Sequence, residues 1–319
     1  MTGKGTVCVT GAGGFVGSWV VKLLLSHGYT VHGTVRRPED AKYSHLKKLE
    51  NAAENLNLLK ADLLDYESLC AAIKGCAGVF HVASPVPSTA VPNPEVVLLE
   101  PAVSGTLNVL KAASQANVRR VVVVSSGASV SLNPHWPKRK VMDENCWSDK
   151  DYCRETKNWY CLSKTEAEIA GLEYGKRSGL DVVAVCPTLV LGPMLQSVLN
   201  ASNLVLVKLL KEGLESLENK QRLVVDVRDV AQALLLVFQK PEAQGRYICT
   251  AHAIKSRQLV DKLRSIFPNY NYPKMFTDSG GEDESMSSER LQKLGWTYRP
   301  LEETLIDSVQ SYDAGGHLA

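Results

Sequence analysis

The sequence lacks an excess of charge of either sign. Its 319 residues include 36 Lys and Arg against 34 Asp and Glu, which gives a formal net charge of +2. Proteins that bind nucleic acid or an anionic membrane surface carry a basic patch that this balance does not provide. The composition therefore argues against both kinds of partner. The hydrophobic fraction of 45% is ordinary for a globular protein with a large core.

Long apolar runs and clustered cysteines are also missing. No stretch approaches the roughly 18 uninterrupted apolar residues of a membrane span. The first residues lack the apolar core of a signal peptide, so we expect a cytoplasmic protein. The 8 cysteines are scattered, without a Cys-x-x-Cys pair or a Cys/His spacing typical of a metal site. We therefore expect buried, reduced thiols and no metal centre.

The first half of the chain alternates strand and helix patterns. Short β-branched runs are predicted as strands and the stretches between them as helices, at a spacing of roughly 25 residues. Strands are predicted at 6–10, 30–35, 56–60, 78–82, 120–125 and 180–186, and helices at 15–27, 69–73, 101–116 and 152–178. This order predicts an α/β fold built on a doubly wound parallel sheet of the Rossmann type.

Beyond residue 187 the alternation is lost. We expect residues 1–187 to form the core, with a returning segment at about 223–240. Residues 188–222 and 241–319 are expected to form a smaller, mixed C-terminal substrate lobe. The segments 133–150, rich in Pro, Trp and charge, and 278–288, acidic and rich in Gly and Ser, are predicted as loops.

A glycine-rich turn follows the first strand and opens the first helix. Its G-x-x-G-x-x-G pattern allows a tight turn and close approach of the backbone to a pyrophosphate, which the helix N-terminus then faces. The turn comprises Gly11, Ala12, Gly13, Gly14, Phe15, Val16 and Gly17. Because it lies between a strand and a helix, it predicts a dinucleotide cofactor.

The end of the second strand indicates which dinucleotide binds. An NAD site places an acidic residue about 20 residues after the turn, whereas this chain has Arg36 and Arg37 there. A guanidinium pairs well with a 2′-phosphate, so NADPH/NADP+ is favoured, with Arg36 as the main partner and Lys42 as a second. The ends of the third and fourth strands are expected to contact the cofactor through Asp62, Leu63, Val82, Ala83 and Ser84.

Three Tyr-x-x-x-Lys pairs match the signature of tyrosine-dependent hydride transfer, at 43/47, 160/164 and 270/274. Only Tyr160 and Lys164 fall in the helix between the fifth and sixth strands, one turn apart on one face. Tyr160 is predicted to give a proton to a carbonyl oxygen, and Lys164 to lower the Tyr160 pKa and hold the nicotinamide ribose. Ser126, with Ser125 as its competitor, is predicted to hydrogen-bond the substrate oxygen.

Together, segments 10–17, 36–42, 125–126, 143–149, 157–161 and 227–230 resemble the plant cinnamoyl-CoA reductase and dihydroflavonol reductase group, which are extended short-chain dehydrogenases/reductases. The resemblance covers nearly the whole chain. It implies a triad of Ser126, Tyr160 and Lys164, NADPH as hydride donor and a small aromatic carbonyl compound as substrate. It also implies cofactor contacts from Pro187, Thr188, Leu189, Val190 and Ser202.

The chain departs from cinnamoyl-CoA reductases where that group contacts the CoA thioester. Val205 replaces a His, Lys208 is kept, and Ser256 stands where an Arg is expected. We therefore predict reduction of hydroxycinnamaldehydes to alcohols, as in short-chain cinnamyl alcohol dehydrogenases. The alternatives are a cinnamoyl-CoA thioester and a dihydroflavonol or other aromatic ketone. The substrate slot is expected to involve Val130, Leu132, Leu189, Leu195, Val205 and Lys208.

An alternative from another class is a cofactor-binding regulatory protein with little turnover, which a plain NADPH-oxidation assay would distinguish. Cys153 and Cys161 are predicted to be buried thiols, with a redox role as the alternative if Cys153 lies in the loop before the helix. Eight helical residues span about 12 Å, beyond the Cα separation of about 7 Å that a disulfide allows. The sequence does not indicate the oligomeric state.

Overall fold

The computed structural model describes residues 4–86, 92–137, 140–278, 283 and 285–319. In chain order the strands are β1 (Thr6–Thr10), β2 (Thr30–Val35), β3 (Leu56–Lys60), β4 (Gly78–His81), β5 (Arg120–Val124), β6 (Val141–Met142), β7 (Asp181–Pro187), β8 (Leu189–Leu191), β9 (Ser216–Glu218), β10 (Gln221–Asp226), β11 (Gly245–Cys249), β12 (His252–Lys255), β13 (Met275–Thr277) and β14 (Ser285–Met286).

The helices, in the same order, are α1 (Phe15–Ser26), α2 (Ser44–Lys47), α3 (Ala52–Asn55), α4 (Tyr66–Ile73), α5 (Glu100–Gln115), α6 (Lys150–Glu155), α7 (Trp159–Ser178), α8 (Ala201–Lys211), α9 (Val227–Gln239), α10 (Ser256–Ile266), α11 (Glu289–Lys293) and α12 (Leu301–Ala314). Short helical turns also occur at Ala41–Tyr43, Glu95–Leu99 and Gly127–Ser129.

The central sheet has seven strands in the order β3-β2-β1-β4-β5-β7-β11. Every neighbouring pair in it is parallel. The strand order reverses between β1 and β4, and in such sheets ligands bind in the crevice beyond the carboxyl ends of the strands at that point. The doubly wound parallel sheet that the alternation predicts is confirmed.

Both faces of this sheet are covered by helices, which is why its strands are rich in apolar residues, above all β5 (Arg120–Val124) and β7 (Asp181–Pro187). On one face, α1 and α9 pack Leu24 and Phe238 against Phe80 and Val122. On the other, α4 and α5 pack Leu69 and Leu110 against alternate residues of the same strands. Successive side chains of a strand point to opposite faces, so a continuous valine run such as 121–124 feeds both cores.

One helical stretch in the described part of the chain, Glu95–Gln115, has the length and apolar composition of a membrane span. It includes α5, whose inward face is buried in the core with α4. The packing identifies α5 as a core helix of the folded domain.

A second, smaller unit follows β7. Its three-stranded sheet pairs β10 in parallel with β8 and antiparallel with β12. Apolar residues of α8, α10 and α12 pack around this sheet in a separate cluster that includes Leu206, Leu259 and Tyr312. The mixed C-terminal lobe therefore has a core of its own.

The structure corrects three sequence-based boundaries. Gly245–Cys249 pairs with β7 as the last strand of the central sheet, so the boundary at residue 241 assigned this segment to the wrong unit.

The helix predicted at 152–178 is broken. Lys157 has a φ of 56°, and the Asn158 side chain caps Cys161 N, so that α7 begins at Trp159. The segments 133–150 and 278–288, predicted as loops, contribute β6 and β14, which pair with each other; residues 138–139, 279–282 and 284 lie outside the described residues.

Candidate active site

A cavity of about 870 Å³ opens along the carboxyl edge of the central sheet. Its inner wall is formed by the glycine-rich turn and by the residues that follow β2, β3, β4, β5 and β7. Its outer wall comes from the start of α5, from α7 and from the segment that leads into α8. The cavity therefore lies at the switch point of the sheet, between the two units.

Two glycines of the turn are required by close packing. Gly11 has a φ of 67°, in the left-handed region, and a Cβ there would lie 2.9 Å from Ala83 Cα. A Cβ on Gly17 would lie 2.2 Å from Gly11 O, so the first turn of α1 can approach the loop only without a side chain. Gly11, Gly13, Gly14, Phe15, Val16 and Gly17 line the cavity, whereas Ala12 is fully buried beneath the turn.

Two of the predicted phosphate partners lie at the end of β2. Arg36 and Lys42 both line the cavity, and Arg36 is exposed. The Lys42 ammonium lies 3.2 Å from Asp40 and 4.9 Å from the centre of the Tyr43 ring. Tyr43 packs so closely on Gly13 that a Cβ on Gly13 would overlap its ring. The two cations therefore flank one end of the cavity, beside the glycine-rich turn.

The predicted contacts after β3 and β4 also line the cavity, through Asp62, Leu63, Val82, Ala83 and Ser84. A buried hydroxyl holds the β4 segment in place: Thr10 Oγ1 accepts hydrogen bonds from Val82 N and Ala83 N, each at 3.1 Å. The same oxygen lies 2.9 Å from His81 Nδ1. Burial, with a smaller effect of Lys164, lowers the His81 pKa to about 3, so the ring is neutral and Nδ1 accepts the Thr10 proton.

The other nitrogen of this ring fixes its tautomer. His81 Nε2 lies 3.1 Å from Thr106 Oγ1, and the Thr106 hydroxyl donates its proton to Ala102 O at 2.8 Å. Thr106 can therefore only accept from the ring, so Nε2 carries the proton. The network fixes the backbone of Val82 and Ala83 next to the glycine-rich turn.

Ser126, Tyr160 and Lys164 all line the cavity, and the Tyr160 hydroxyl is hydrogen-bonded to Ser126. Ser126 follows β5, and its Oγ accepts from Ala128 N at 3.1 Å. Tyr160 and Lys164 lie one turn apart on α7, and Lys164 Nζ donates to Val124 O at 3.3 Å. Two elements distant in sequence thus place a hydroxyl, a phenol and an ammonium group on the wall of one cavity.

The electrostatics of this cluster differ in part from the prediction. Burial raises the pKa of Tyr160 above its usual value, and a hydrogen bond with Ser126 lowers it by a smaller amount. The phenol is therefore protonated at neutral pH, which is the form that a proton donor needs. Burial also lowers the pKa of Lys164 to about 8, an effect that the nearby Glu168 carboxylate partly offsets, so the ammonium remains mostly charged at neutral pH.

The other two Tyr-x-x-x-Lys pairs lie elsewhere. Tyr43 lines the cavity, but at its Gly13 end. Tyr270 packs against Phe267 in the core of the smaller unit, and Lys274 pairs with exposed Glu215 at 2.6 Å.

The cofactor residues implied by the resemblance are mostly in place. Pro187, Thr188, Val190 and Ser202 line the cavity, while Leu189 packs against the core of the smaller unit. The segment before α8 is anchored at three points. Trp19 Nε1 donates to Pro193 O at 2.8 Å, and the hydroxyls of Ser308 and Ser311 accept from Gly192 N and Met194 N.

The predicted substrate slot is not formed by the residues proposed for it. Val130 is fully buried with Met142 and Cys186, because the turn at Gly127–Ser129 directs the chain back into the core. Leu132 packs beside Cys153 and Cys161 in another buried cluster. Leu195, Val205 and Lys208 also lie off the cavity wall, and Lys208 is exposed.

Other apolar residues form the outer wall of the cavity instead. Val86 and Val97 come from the β4–α5 connection, and Val198 and Leu199 from the segment before α8. Val86, Val97 and Val198 are each more than half exposed, which is unusual for valine. Sequence alone does not reveal this exposure, because nothing local distinguishes these valines from the valines of the core.

The comparisons with known proteins agree with this geometry. A sequence model of the NAD dependent epimerase/dehydratase family matches residues 7–249. The chain belongs to this family. Within the family, it is 47% identical over 315 residues to cinnamoyl-CoA reductase 1 of Petunia hybrida, covering 98% of this chain and 93% of the relative. It is 39% identical to the bifunctional dihydroflavonol 4-reductase/flavanone 4-reductase of Malus domestica, covering 98% of this chain and 91% of the relative.

Solved structures of similar proteins show the same fold. The vestitone reductase of alfalfa (Medicago sativa L.) superimposes with a TM-score of 0.84 at 33% identity, covering 99% of this chain and 100% of that one. Yeast methylglyoxal/isovaleraldehyde reductase Gre2, solved as a complex with NADPH, has a TM-score of 0.83 at 28% identity, covering 98% and 99%. The resemblance to the cinnamoyl-CoA reductase and dihydroflavonol reductase group is confirmed.

Proposed function

We propose that the protein is an NADPH-dependent carbonyl reductase. The observation that supports this most directly is that Ser126, Tyr160 and Lys164 line the same cavity as the glycine-rich turn, with Tyr160 hydrogen-bonded to Ser126. A phenol kept protonated by burial is suited to give a proton to an oxygen that gains negative charge. The relatives named above are themselves reductases.

The residues present fit NADPH. At Gly11, Gly13 and Gly17 a Cβ would clash with Ala83, Tyr43 and Gly11 O, so the turn stays compact, as the approach of a pyrophosphate to the start of α1 requires. Arg36 and Lys42 flank the same end of the cavity and would pair with a 2′-phosphate. The bound cofactor supplies the hydride. The solved relative that carries NADPH supports the same choice.

Each residue of the triad then has a defined task. Tyr160 Oη would give its proton to the carbonyl oxygen as the carbonyl carbon receives the hydride that NADPH would supply. Ser126 Oγ hydrogen-bonds that oxygen and orients it toward Tyr160. The Lys164 ammonium stabilises the negative charge that remains on the phenolate until a solvent proton replaces it.

For the substrate we propose an aromatic aldehyde of the hydroxycinnamaldehyde type, reduced to its alcohol. Among the described residues that line the cavity, the cations are Arg36, Lys42 and Lys164. Two of these are assigned to the cofactor phosphate and the third to the reaction centre. The outer wall offers the apolar side chains of Val86, Val97, Val198 and Leu199. An aryl group needs only such a wall, whereas the phosphates of CoA need cationic or polar anchors.

The second candidate is reduction of the CoA thioester. It is favoured by the 47% identity to a protein named cinnamoyl-CoA reductase. The argument from Ser256 against this substrate is also weakened, because Ser256 is fully buried and its hydroxyl donates to Lys220 O. A residue in that position does not face the cavity.

A substrate panel with NADPH tests the choice. We expect kcat/KM for coniferaldehyde to exceed that for feruloyl-CoA by at least about tenfold, roughly 1.4 kcal/mol in transition-state binding. Dihydroflavonols serve as the ketone comparison, and NADPH consumption is followed at 340 nm. An equal or higher kcat/KM for the thioester would contradict the aldehyde assignment and support the second candidate. Absence of NADPH consumption with every carbonyl compound would contradict the reductase assignment itself.

A further inference from the structure

A buried polar cluster lies behind the reaction centre, on the side away from the cavity opening. Its centre is Glu168, one helical turn beyond Lys164 on α7 and 1% exposed. Its partner is Arg246 of β11, which is 5% exposed. Charged residues are almost never this deeply buried unless they are paired, so the position of this pair needs a physical reason.

The carboxylate of Glu168 contacts serines on either side of Ser126, which lines the cavity. Ser125 Oγ donates to Glu168 Oε2 at 2.6 Å, and Ser129 Oγ lies 2.5 Å from the same oxygen. These two serines flank Ser126 in the sequence. Since backbone hydrogen bonds also tie Ser125 N to Val185 O, the loop from 125 to 129 is fixed against α7 and β7.

Arg246 completes the cluster from the opposite side. Its Nε donates to Glu168 Oε1 at 2.7 Å, and Nη2 donates to Oε2 at 3.2 Å. The guanidinium also donates to Cys146 O at 2.6 Å and lies 3.5 Å from the centre of the Trp147 ring. A two-point contact of this kind orients the carboxylate as well as neutralising it.

Several titratable groups surround Lys164. Tyr160 and Glu168 share its helix, His81 faces it from β4, and Cys186 faces it from β7. Arg246 acts on it indirectly, through Glu168. His81 is neutral, and burial raises the pKa of the Cys186 thiol, so that thiol is neutral as well. The carboxylate of Glu168 is therefore the negative charge that opposes the loss of the Lys164 proton.

We infer that Glu168, oriented by Arg246, is a positioning residue for the reaction: it fixes the loop that carries Ser126 and stabilises the ammonium form of Lys164. The inference rests on the proposed reductase function. It assigns Glu168 no contact with substrate or cofactor.

The test compares Glu168→Gln with Asp181→Asn in the full-length protein. Asp181 pairs with another buried arginine, Arg120, at the opposite edge of the same sheet, so both variants replace an acid by its amide beside an arginine. Reduction requires protonated Lys164, and activity falls as pH rises through its pKa. Without the Glu168 charge the pKa of Lys164 falls further. In a plot of kcat against pH, we therefore expect the decline at alkaline pH to move to lower pH by about one unit. In Asp181→Asn this decline should not move.

A decline that stays in place in Glu168→Gln, or moves equally in both variants, overturns the inference. Ser129→Ala is the second variant, used if Glu168→Gln does not fold. Ser129 is fully buried, does not line the cavity and carries no charge. Ser129 Oγ links Glu168 Oε2 to Ser126 O, at 2.5 and 2.7 Å, so we expect its loss to lower kcat roughly two- to tenfold with an unchanged KM for NADPH. Wild-type kcat in Ser129→Ala would contradict the positioning role.

A binding measurement separates this inference from the proposed function. The pH dependence of the NADPH Kd, followed by fluorescence, requires no substrate, and Lys164 lines the cavity. If the wild-type protein reduces no carbonyl compound, the reductase proposal fails. The inference would still be supported if, in Glu168→Gln alone, the loss of NADPH affinity at alkaline pH began at a lower pH. It would be overturned if the pH dependence of the NADPH Kd were the same in Glu168→Gln and Asp181→Asn.

Discussion

The two edges of the central sheet handle buried polar groups in different ways. At the amino edge, Arg120 opens β5 and Asp181 opens β7, and the guanidinium is 2.7 Å from the carboxylate. The remaining protons of Arg120 go to backbone carbonyls at the end of α9 and in the loop after it, those of Val237, Lys240, Pro241 and Ala243. The donors of the Arg120 guanidinium are thus used within the protein.

At the carboxyl edge, hydrogen-bonding capacity is left over. The Lys164 ammonium has three protons and one acceptor among the described residues, Val124 O at 3.3 Å. Arg36 is exposed at the end of β2, and Tyr160 and Ser126 face the cavity. Buried groups that are fully paired contribute to stability, whereas groups held in place but not fully paired can bind a ligand. Substitutions at the amino edge should therefore lower the free energy of unfolding, whereas substitutions at the carboxyl edge should lower kcat or raise the KM for the cofactor.

The largest effect is expected at the amino edge. Arg120→Met removes the side chain that satisfies four carbonyls and one carboxylate. We expect the free energy of unfolding to fall by about 3 kcal/mol, while kcat per folded molecule stays at the wild-type value. Urea denaturation measures the first quantity and NADPH consumption the second.

Arg119→Met is the matched control. Arg119 is the preceding residue, is exposed, and contacts the Phe238 ring at 5.3 Å, so its loss should cost no more than about 1 kcal/mol. A large fall of kcat in folded Arg120→Met would show that the two edges are not independent.

The next largest effect is expected at the reaction centre. Tyr160→Phe keeps the ring and removes the proton donor. We expect kcat to fall by at least about 100-fold, with an unchanged Kd for NADPH and an unchanged free energy of unfolding. Arg120→Met, by contrast, is expected to lower the free energy of unfolding and leave kcat unchanged.

Tyr270→Phe is the corresponding control, because Tyr270 belongs to another Tyr-x-x-x-Lys pair and packs in the smaller unit. It should retain nearly full activity. If Tyr270→Phe were inactive and Tyr160→Phe active, the choice among the three pairs would be wrong.

The sequence predicts the carboxyl edge better than the amino edge, for physical reasons. The turn that follows β1 and the pair on α7 are local patterns, each defined by spacing within one element or at its boundary. β1, β2 and β3 are predicted with their observed bounds, because glycines or polar residues end each apolar run. The Arg120–Asp181 pair joins residues 61 positions apart, and no local pattern indicates it.

The same reason explains the incorrect boundaries. β11 joins the central sheet 57 residues after the end of β7, after the smaller unit has begun, so chain order misplaces it. Val130 and Val198 are equally apolar, yet one is fully buried and the other 58% exposed. Val130 is buried because of the direction that the chain takes after the Gly127–Ser129 turn. That direction depends on contacts distant in sequence, such as the hydrogen bond from Ser148 Oγ to Ala128 O.

The smallest of the three effects is expected at the end of β2. Arg36→Ala should raise the KM for NADPH roughly ten- to a hundredfold, the value of a charge-assisted contact of 1.5–3 kcal/mol, and leave the KM for NADH nearly unchanged. The reason is that only NADPH carries the 2′-phosphate. Steady-state kinetics with both cofactors measure the ratio, and Arg37→Ala is the control, because Arg37 is exposed but does not line the cavity. Equal losses with NADPH and NADH would mean that Arg36 contributes to the fold at this edge, as Arg120 does at the other, and the contrast between the edges would not extend to β2.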